Sequence, residues 1–216
     1  MVFGNPLQYR RRQASGHRFQ KRLKGISVIV MNETGVIHGR FQIFHNDHLR
    51  YLLAGRQRCR HLVVGITNPD PSFTRDDPAA PLRSRSENNP LTYYERYQCV
   101  KSALIADGVP DSEFSVVPFP INHPEYYRYY VPMEAIFYLT IYDEWGRKKH
   151  DLFVSMGLKT EILWEKPIEQ KGLSSSDIRN CIIIGEPWEH YVPPVVYRLL
   201  NDWNIADRLR QNLKGG

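Results

Sequence analysis

Along the chain, short apolar runs alternate with stretches in which apolar residues recur every three or four positions. The runs are Ile26–Val30, Val36–Gly39, His61–Ile66, Phe114–Pro118, Ala135–Tyr142 and Lys159–Trp164. Their length and β-branched or aromatic content predict strands. Either of the first two could open a sheet; Val36–Gly39 is preferred because it runs straight into a turn dense in chemistry. Leu49, Leu52 and Leu53 predict a helix from Asn46 to about Arg58. Tyr93, Tyr97, Val100 and Leu104 predict another, after a Thr92–Glu95 pair with capping-box spacing. A third helix opens on the basic segment Arg147–Lys149 and ends near Gly157. A fourth starts within Gly172–Arg179, and Pro193–Leu213 reads as one or two more. Strand and helix alternate with connections too long for hairpins. The pattern predicts an α/β fold, with a parallel sheet, helices on both faces and a small C-terminal helical segment. In such a sheet the loops that follow strands gather at one edge, where ligands bind.

Two of those loops stand out. Thr67–Pro90 is long and rich in proline, and Pro120–Tyr130 is crowded with tyrosine. A loop as long as the first is usually functional or disordered. At 216 residues the chain suits one well-buried domain. The net charge is +6, yet residues 1–32 alone carry seven Lys and Arg and no acid, so the rest sits near neutrality at 6 − 7 = −1. This divides the chain into a basic N-terminal extension, 1–30, and a folded domain, 31–216. The cations belong to the extension, so a nucleic-acid partner is not expected for the domain. Cys59, Cys99 and Cys181 are widely spaced, which argues against a disulfide framework and for a cytoplasmic setting. No apolar run reaches the ~20 residues of a membrane span, and the basic start lacks the apolar core of a secretory signal.

Two helix starts look built for anions. The first carries Arg40, His45 and His48 after the Gly39 turn; the second carries Ser174, Ser175, Ser176 and Arg179. Free backbone amides, hydroxyls and the helix dipole hold phosphate oxygens at such places, and a guanidinium can fork onto the same group. His45 and His48 share a helix face and could pair on zinc. No third ligand has compelling spacing, so no metal-ligating residue is assigned.

The set His38–Gln42, His45–His48 and Leu173–Arg179 resembles the paired signatures of the HxGH nucleotidyltransferase superfamily. Its archaeal-type nicotinamide-mononucleotide adenylyltransferase branch is the best match. Asn89–Arg96, Val117–Pro120 and Gly185–Pro193 extend the likeness in the same order, from about Val36 to Arg210. The resemblance implies a Rossmann-like five-stranded sheet. It also implies transfer of a nucleoside monophosphate from an NTP to a phosphate-bearing acceptor, with release of pyrophosphate. The acceptor oxygen is already ionised at neutral pH, so catalysis reduces to positioning and charge stabilisation.

Carried over by position, His45, His48 and Arg179 would be catalytic. His38, Gly39, Arg40, Phe41, Asp47, Ser174, Ser175 and Ser176 would hold the nucleotide and its phosphates. Thr67, Asn68, Asp70, Arg96, Tyr127 and Tyr130 would hold the acceptor. Mg²⁺ would ride on the phosphates through water and phosphate oxygens. The relatives' habit of assembling leaves a homo-oligomer open.

ATP and a pyridine mononucleotide are the substrates favoured by resemblance. Two departures bear on that choice. The glycine of the HxGH motif is Asp47 here, where the family brings the nucleobase close to the backbone. The acceptor-side stretches Thr67–Thr74 and Tyr126–Tyr130 also differ from the pattern. Both allow a related reaction, cytidylyl transfer from CTP to a phosphonate or phosphoalcohol. A non-catalytic nucleotide binder that uses the basic tail is the rival from another class, and the intact His45, His48 and Arg179 speak against it.

Overall fold

The computed structural model describes residues 31–70 and 88–214. The basic extension, the Ile26–Val30 run and most of the proline-rich loop lie outside these residues. Five strands form one sheet: β1 (Asn32–Gly39), β2 (Cys59–Thr67), β3 (Phe114–Phe119), β4 (Ile136–Ile141) and β5 (Lys159–Glu165). Their order is β3-β2-β1-β4-β5, and every pairing is parallel. The expected five-stranded Rossmann-like sheet is therefore present. The chain builds outward from β1 through β2 to β3, then returns to place β4 on the other side of β1. The switch in strand order falls between β1 and β4, where a crevice opens at the strands' carboxyl ends.

Alternation along the strands divides the core. Ile37, Leu62, Val64 and Ile66 face one side with Leu52 of α1 (Asn46–Arg56) and Val100 and Leu104 of α2 (Tyr93–Ala106). Val36, Val63, Phe137 and Leu139 face the other, covered by Phe153 of α3 (Glu144–Ser155) and by Tyr127. Three further helices, α4 (Ser175–Ile184), α5 (Pro194–Asp202) and α6 (Ile205–Lys214), pack on the first side through Ile178, Ile182, Val196, Leu200 and Leu209. Arg208 on α6 reaches Glu95 at 2.8 Å, which ties the C-terminal helices to the start of α2. The capping box there forms as the spacing predicts: Thr92 Oγ1 accepts from the Glu95 amide, and the Thr92 amide donates back to Glu95.

Several boundaries differ from expectation. The first strand begins at Asn32, because Asn32 and Thr34 pair with Cys59 and His61 of β2, and backbone pairing is indifferent to polar side chains. Helix α1 stops at Arg56. Helix α3 starts at Glu144 rather than Arg147: Asp143 caps it, its carboxylate accepting from the Gly146 amide at 2.8 Å. No helix among the described residues is long and apolar enough to cross a membrane.

Candidate active site

At the switch point lies a cleft of about 450 Å³. Three helix N-termini contribute to its wall: α1 through His45, Asp47 and His48, α4 through Ser174–Ser176, and α3 through Asp143, Trp145 and Gly146. The first amides of each helix lack an intrahelical partner and carry the positive end of the dipole. Three such ends beside Arg40, Lys149 and Lys171, against two wall carboxylates, Asp47 and Asp143, make the cleft receptive to a polyanion.

The turn between β1 and α1 is tightly specified. Phe41 sits at φ 54 and is buried, with its ring edge-on to His48 at 5.0 Å. A side chain on Gly39 would lie 2.6 Å from that ring and force it to shift. Gln42 clasps the far loop, donating to the Leu91 carbonyl at 2.8 Å and accepting from the Leu91 amide at 2.9 Å. His45 caps the start of α1, and the His45 and His48 rings lie 3.7 Å apart, tilted by 30°. The His45 amide contacts His48 Nδ1 at 3.4 Å. Burial pulls the His45 pKa down to about 4, outweighing the Asp47 and Asp177 carboxylates. Burial first, then the charges of His45, Arg40 and Lys171, hold His48 well below its ordinary value. Both imidazoles are therefore neutral at pH 7, each with one N–H to donate.

The serine–arginine start of α4 is bound from within. Ser174 and Asp177 cap each other, and these bonds lower the Asp177 pKa. Ser175 donates to the Ile43 carbonyl at 2.8 Å. Ser176 accepts from Arg179 at 3.0 Å. Arg179 is 4% exposed and also donates to the Gln42 carbonyl and to Asn88 at 2.7 Å. Arg179 thus holds the turn that presents His45 and His48, and it is not itself on the cleft wall.

His38, Gly39, Arg40, Phe41, His45, Asp47, His48, Thr67, Asn68 and the three serines are all brought to one cleft. Four expected acceptor residues stand elsewhere. Arg96 is 2% exposed and spends its guanidinium on the carbonyls of Arg40, Thr67, Asn68 and Pro69, so it fastens two loops together. Tyr127 is fully buried, 4.4 Å from the Phe119 ring, with its hydroxyl donating to the Ile121 carbonyl at 2.6 Å. Tyr130 packs on the same cluster, and Asp70 is exposed away from the wall.

Other residues on the wall were not singled out by sequence reasoning. Tyr51, Tyr142 and Trp164 form an aromatic side: Trp164 donates to the Tyr142 hydroxyl at 2.6 Å and meets Tyr51 edge-on at 5.9 Å. Asp47 lies at this side, paired with Arg50 at 3.0 Å. Its carboxylate also approaches Gly172, where a side chain would come within 2.6 Å of it and φ is +74. Asn122, Trp145 and Lys149 line the remainder, Lys149 lying 4.5 Å over the Trp145 ring. The signal for α3 was present in Asp143–Gly146, a capping residue just after a strand, the same cue that marks α1.

A family model described as cytidylyltransferase-like matches residues 36–181. A phosphonoformate cytidylyltransferase from Streptomyces viridochromogenes is 48% identical over 177 residues, covering 82% of this chain and 95% of that protein. Nicotinamide-nucleotide adenylyltransferases from Picrophilus torridus and Pyrococcus horikoshii are each 28% identical. They cover 81% and 82% of this chain, and 94% and 87% of their own lengths. Among solved structures, a bifunctional NMN adenylyltransferase/ADP ribose pyrophosphatase from Francisella tularensis superposes with a TM-score of 0.58 at 14% identity. That match covers 84% of this chain and 53% of the bifunctional one, about half its length. The shared fold is the conclusion from that likeness.

Proposed function

The chain belongs to the cytidylyltransferase-like family, and from that premise we propose that it transfers a cytidylyl group from CTP to a small phosphonate acceptor. The chain is a nucleotidyltransferase, the activity shared by the cytidylyltransferase and the adenylyltransferases it resembles. The observation that carries the finer reading is the 48% identity with a phosphonoformate cytidylyltransferase, against 28% for the adenylyltransferases. Asp47 is compatible with it: a carboxylate at the aromatic side of the cleft can accept from an exocyclic base amine, which cytosine and adenine share and uracil lacks. Its side chain stands where the HxGH motif has glycine. This reading prefers the CTP alternative over the ATP and pyridine mononucleotide favoured by motif resemblance alone.

In this reading the triphosphate lies across the N-termini of α1 and α4. His45 and His48 donate to oxygens on the α-phosphorus, while Arg40, Lys171 and the amides of Ser175 and Ser176 receive the departing phosphates. A phosphonate oxygen attacks the α-phosphorus, the bond to the bridging oxygen breaks, and pyrophosphate leaves with the electron pair. The nucleophile is already ionised, so neutral histidines serve as hydrogen-bond donors rather than bases. Among the described residues no group of three or more His, Cys, Asp or Glu side chains could hold a metal ion. A Mg²⁺ ion would enter with the triphosphate and neutralise its charge, held through phosphate oxygens and water.

The test is a pyrophosphate-release screen with Mg²⁺, pairing CTP, ATP, GTP and UTP with phosphonoformate, a phosphoalcohol, nicotinamide mononucleotide and nicotinate mononucleotide. Turnover highest for CTP with phosphonoformate is expected. Turnover confined to ATP with a mononucleotide would return the assignment to the adenylyltransferase reading.

A further inference from the structure

His38 is a feature of the cleft that the reading above leaves without work. It sits one residue before the β1 glycine turn, is 5% exposed and lines the cleft. Neither of its ring nitrogens has a hydrogen-bond partner. A buried polar atom left unpaired costs about 1–3 kcal/mol, so nearly all find partners within the fold. The ring packs between Phe119 at 5.3 Å and Phe153 at 5.4 Å, with both nitrogens covered. An unsatisfied imidazole at the margin of a ligand cleft points to a partner that arrives with the substrate and reaches the ring as it turns toward the cleft.

Its position says which part of the substrate. His45 and His48 stand over the face of the sheet that holds Phe41 and Phe44. His38 projects from the opposite face of β1, among Phe119 and Phe153. A group that meets His38 therefore approaches from the other face of β1 than one that meets His45 and His48. The same cleft wall includes Asn122, Thr140, the start of α3 and Lys149. Lys149 is close enough for its charge to add to burial in lowering the His38 pKa. Asp143, the acid at this end, is engaged by the Gly146 amide and by Lys171 at 3.6 Å. The surroundings favour an anion, and a neutral imidazole offers it one N–H.

Building on the phosphonate reading, we propose that His38 reads a carboxylate on the acceptor. Its N–H donates to that group while the phosphonate oxygen faces the α-phosphorus, so the acceptor is a small compound bearing both acids. This moves His38 from the nucleotide-phosphate set, where its neighbours Gly39 and Arg40 remain, to the acceptor, as a specificity-determining residue.

The experiment compares phosphonoformate with methylphosphonate, which lacks the carboxylate, as acceptors for CTP in the wild type, His38→Leu and His38→Asn. The wild type should favour phosphonoformate. His38→Leu should shrink that preference by about 30-fold, the loss of one hydrogen bond to a charged group, through KM for the acceptor. His38→Asn, which keeps a donor, should recover part of it. Retention of the full preference by His38→Leu would overturn the proposal. So would a uniform loss with both acceptors.

A second measurement needs neither a variant nor turnover. The His38 ring nitrogen signals of the wild-type protein are followed by NMR as phosphonoformate or methylphosphonate is added without nucleotide. A shift with the first alone is expected, and no shift with either contradicts the proposal. A His38 shift without turnover by any CTP–phosphonate pair would sink the function reading and leave the carboxylate site standing.

Discussion

The two ends of the cleft are built on opposite principles. At the start of α4, every serine hydroxyl and the Arg179 guanidinium already has a partner within the protein. At the His38 corner, a buried imidazole has none. The first end has spent its side chains on holding the β1–α1 turn rigid, which leaves backbone amides to meet phosphate. Amides at a helix start cannot be swapped by mutation, which suits a reaction step shared by adenylyl and cytidylyl transfer. On the proposed reading, the second end keeps a side chain unsatisfied for a group that differs between acceptors, while the shared step draws on backbone amides together with His45, His48, Arg40 and Lys171.

The contrast can be broken at several points. The largest effect is expected from Arg96→Ala, which strips the bonds from the carbonyls of Arg40, Thr67, Asn68 and Pro69. Urea unfolding should show a loss of about 4 kcal/mol, as when several bonds from one buried charged group vanish together. A stable Arg96→Ala protein with only a raised acceptor KM would instead put Arg96 in the acceptor site.

His48→Ala should lower kcat by about 100-fold, close to 3 kcal/mol in the barrier, with little change in stability. An unchanged kcat would remove His48 from the reacting end.

The pH dependence of folding tests the burial of the same pair. His45 has a folded pKa of about 4 against an ordinary 6.5. Between those values the unfolded chain binds more protons, so stability falls as pH drops from 6.5 toward 4. The loss from this group is about 3 kcal/mol between pH 7 and pH 4. His45→Gln should remove that part of the slope in denaturant melts run across the range. An identical slope in both proteins would show that His45 titrates normally.

Asp47→Gly restores the glycine of the HxGH pattern and should shift the kcat/KM ratio of CTP to ATP toward ATP by about 10-fold, the size of one base-edge contact. No shift would place base choice elsewhere on the aromatic side, at Tyr51, Tyr142 or Trp164.

Much of this was legible in the sequence because it depends on local pattern. The strand periodicity, the Thr92–Glu95 cap and the two helix starts are short-range signals, and they put His45, His48 and the serines at one sheet edge. What could not be read was the direction in which a side chain is spent. Tyr127 and Tyr130 sit in an aromatic loop beside the cleft, yet Tyr127 is drawn into the core by Phe119 and Phe153. Arg179 matched a phosphate-binding pattern and Arg96 was expected at the acceptor, and burial turned both guanidinia toward backbone carbonyls. Lys149 looked like part of a solvated basic face, because the start of α3 at Asp143 was hidden behind the more obvious Arg147–Lys149 run. His38 was seen, but its lack of a partner exists only once Phe119 and Phe153 close around it.

The central claim is that this cleft joins a cytidylyl group to a phosphonate oxygen. ³¹P NMR of the purified protein with CTP, Mg²⁺ and phosphonoformate tests it most directly. The account predicts free pyrophosphate together with a new pair of mutually coupled signals from a mixed anhydride of CMP and the phosphonate. An unchanged CTP and phosphonoformate spectrum, with ATP and nicotinamide mononucleotide consumed under the same conditions, would contradict it.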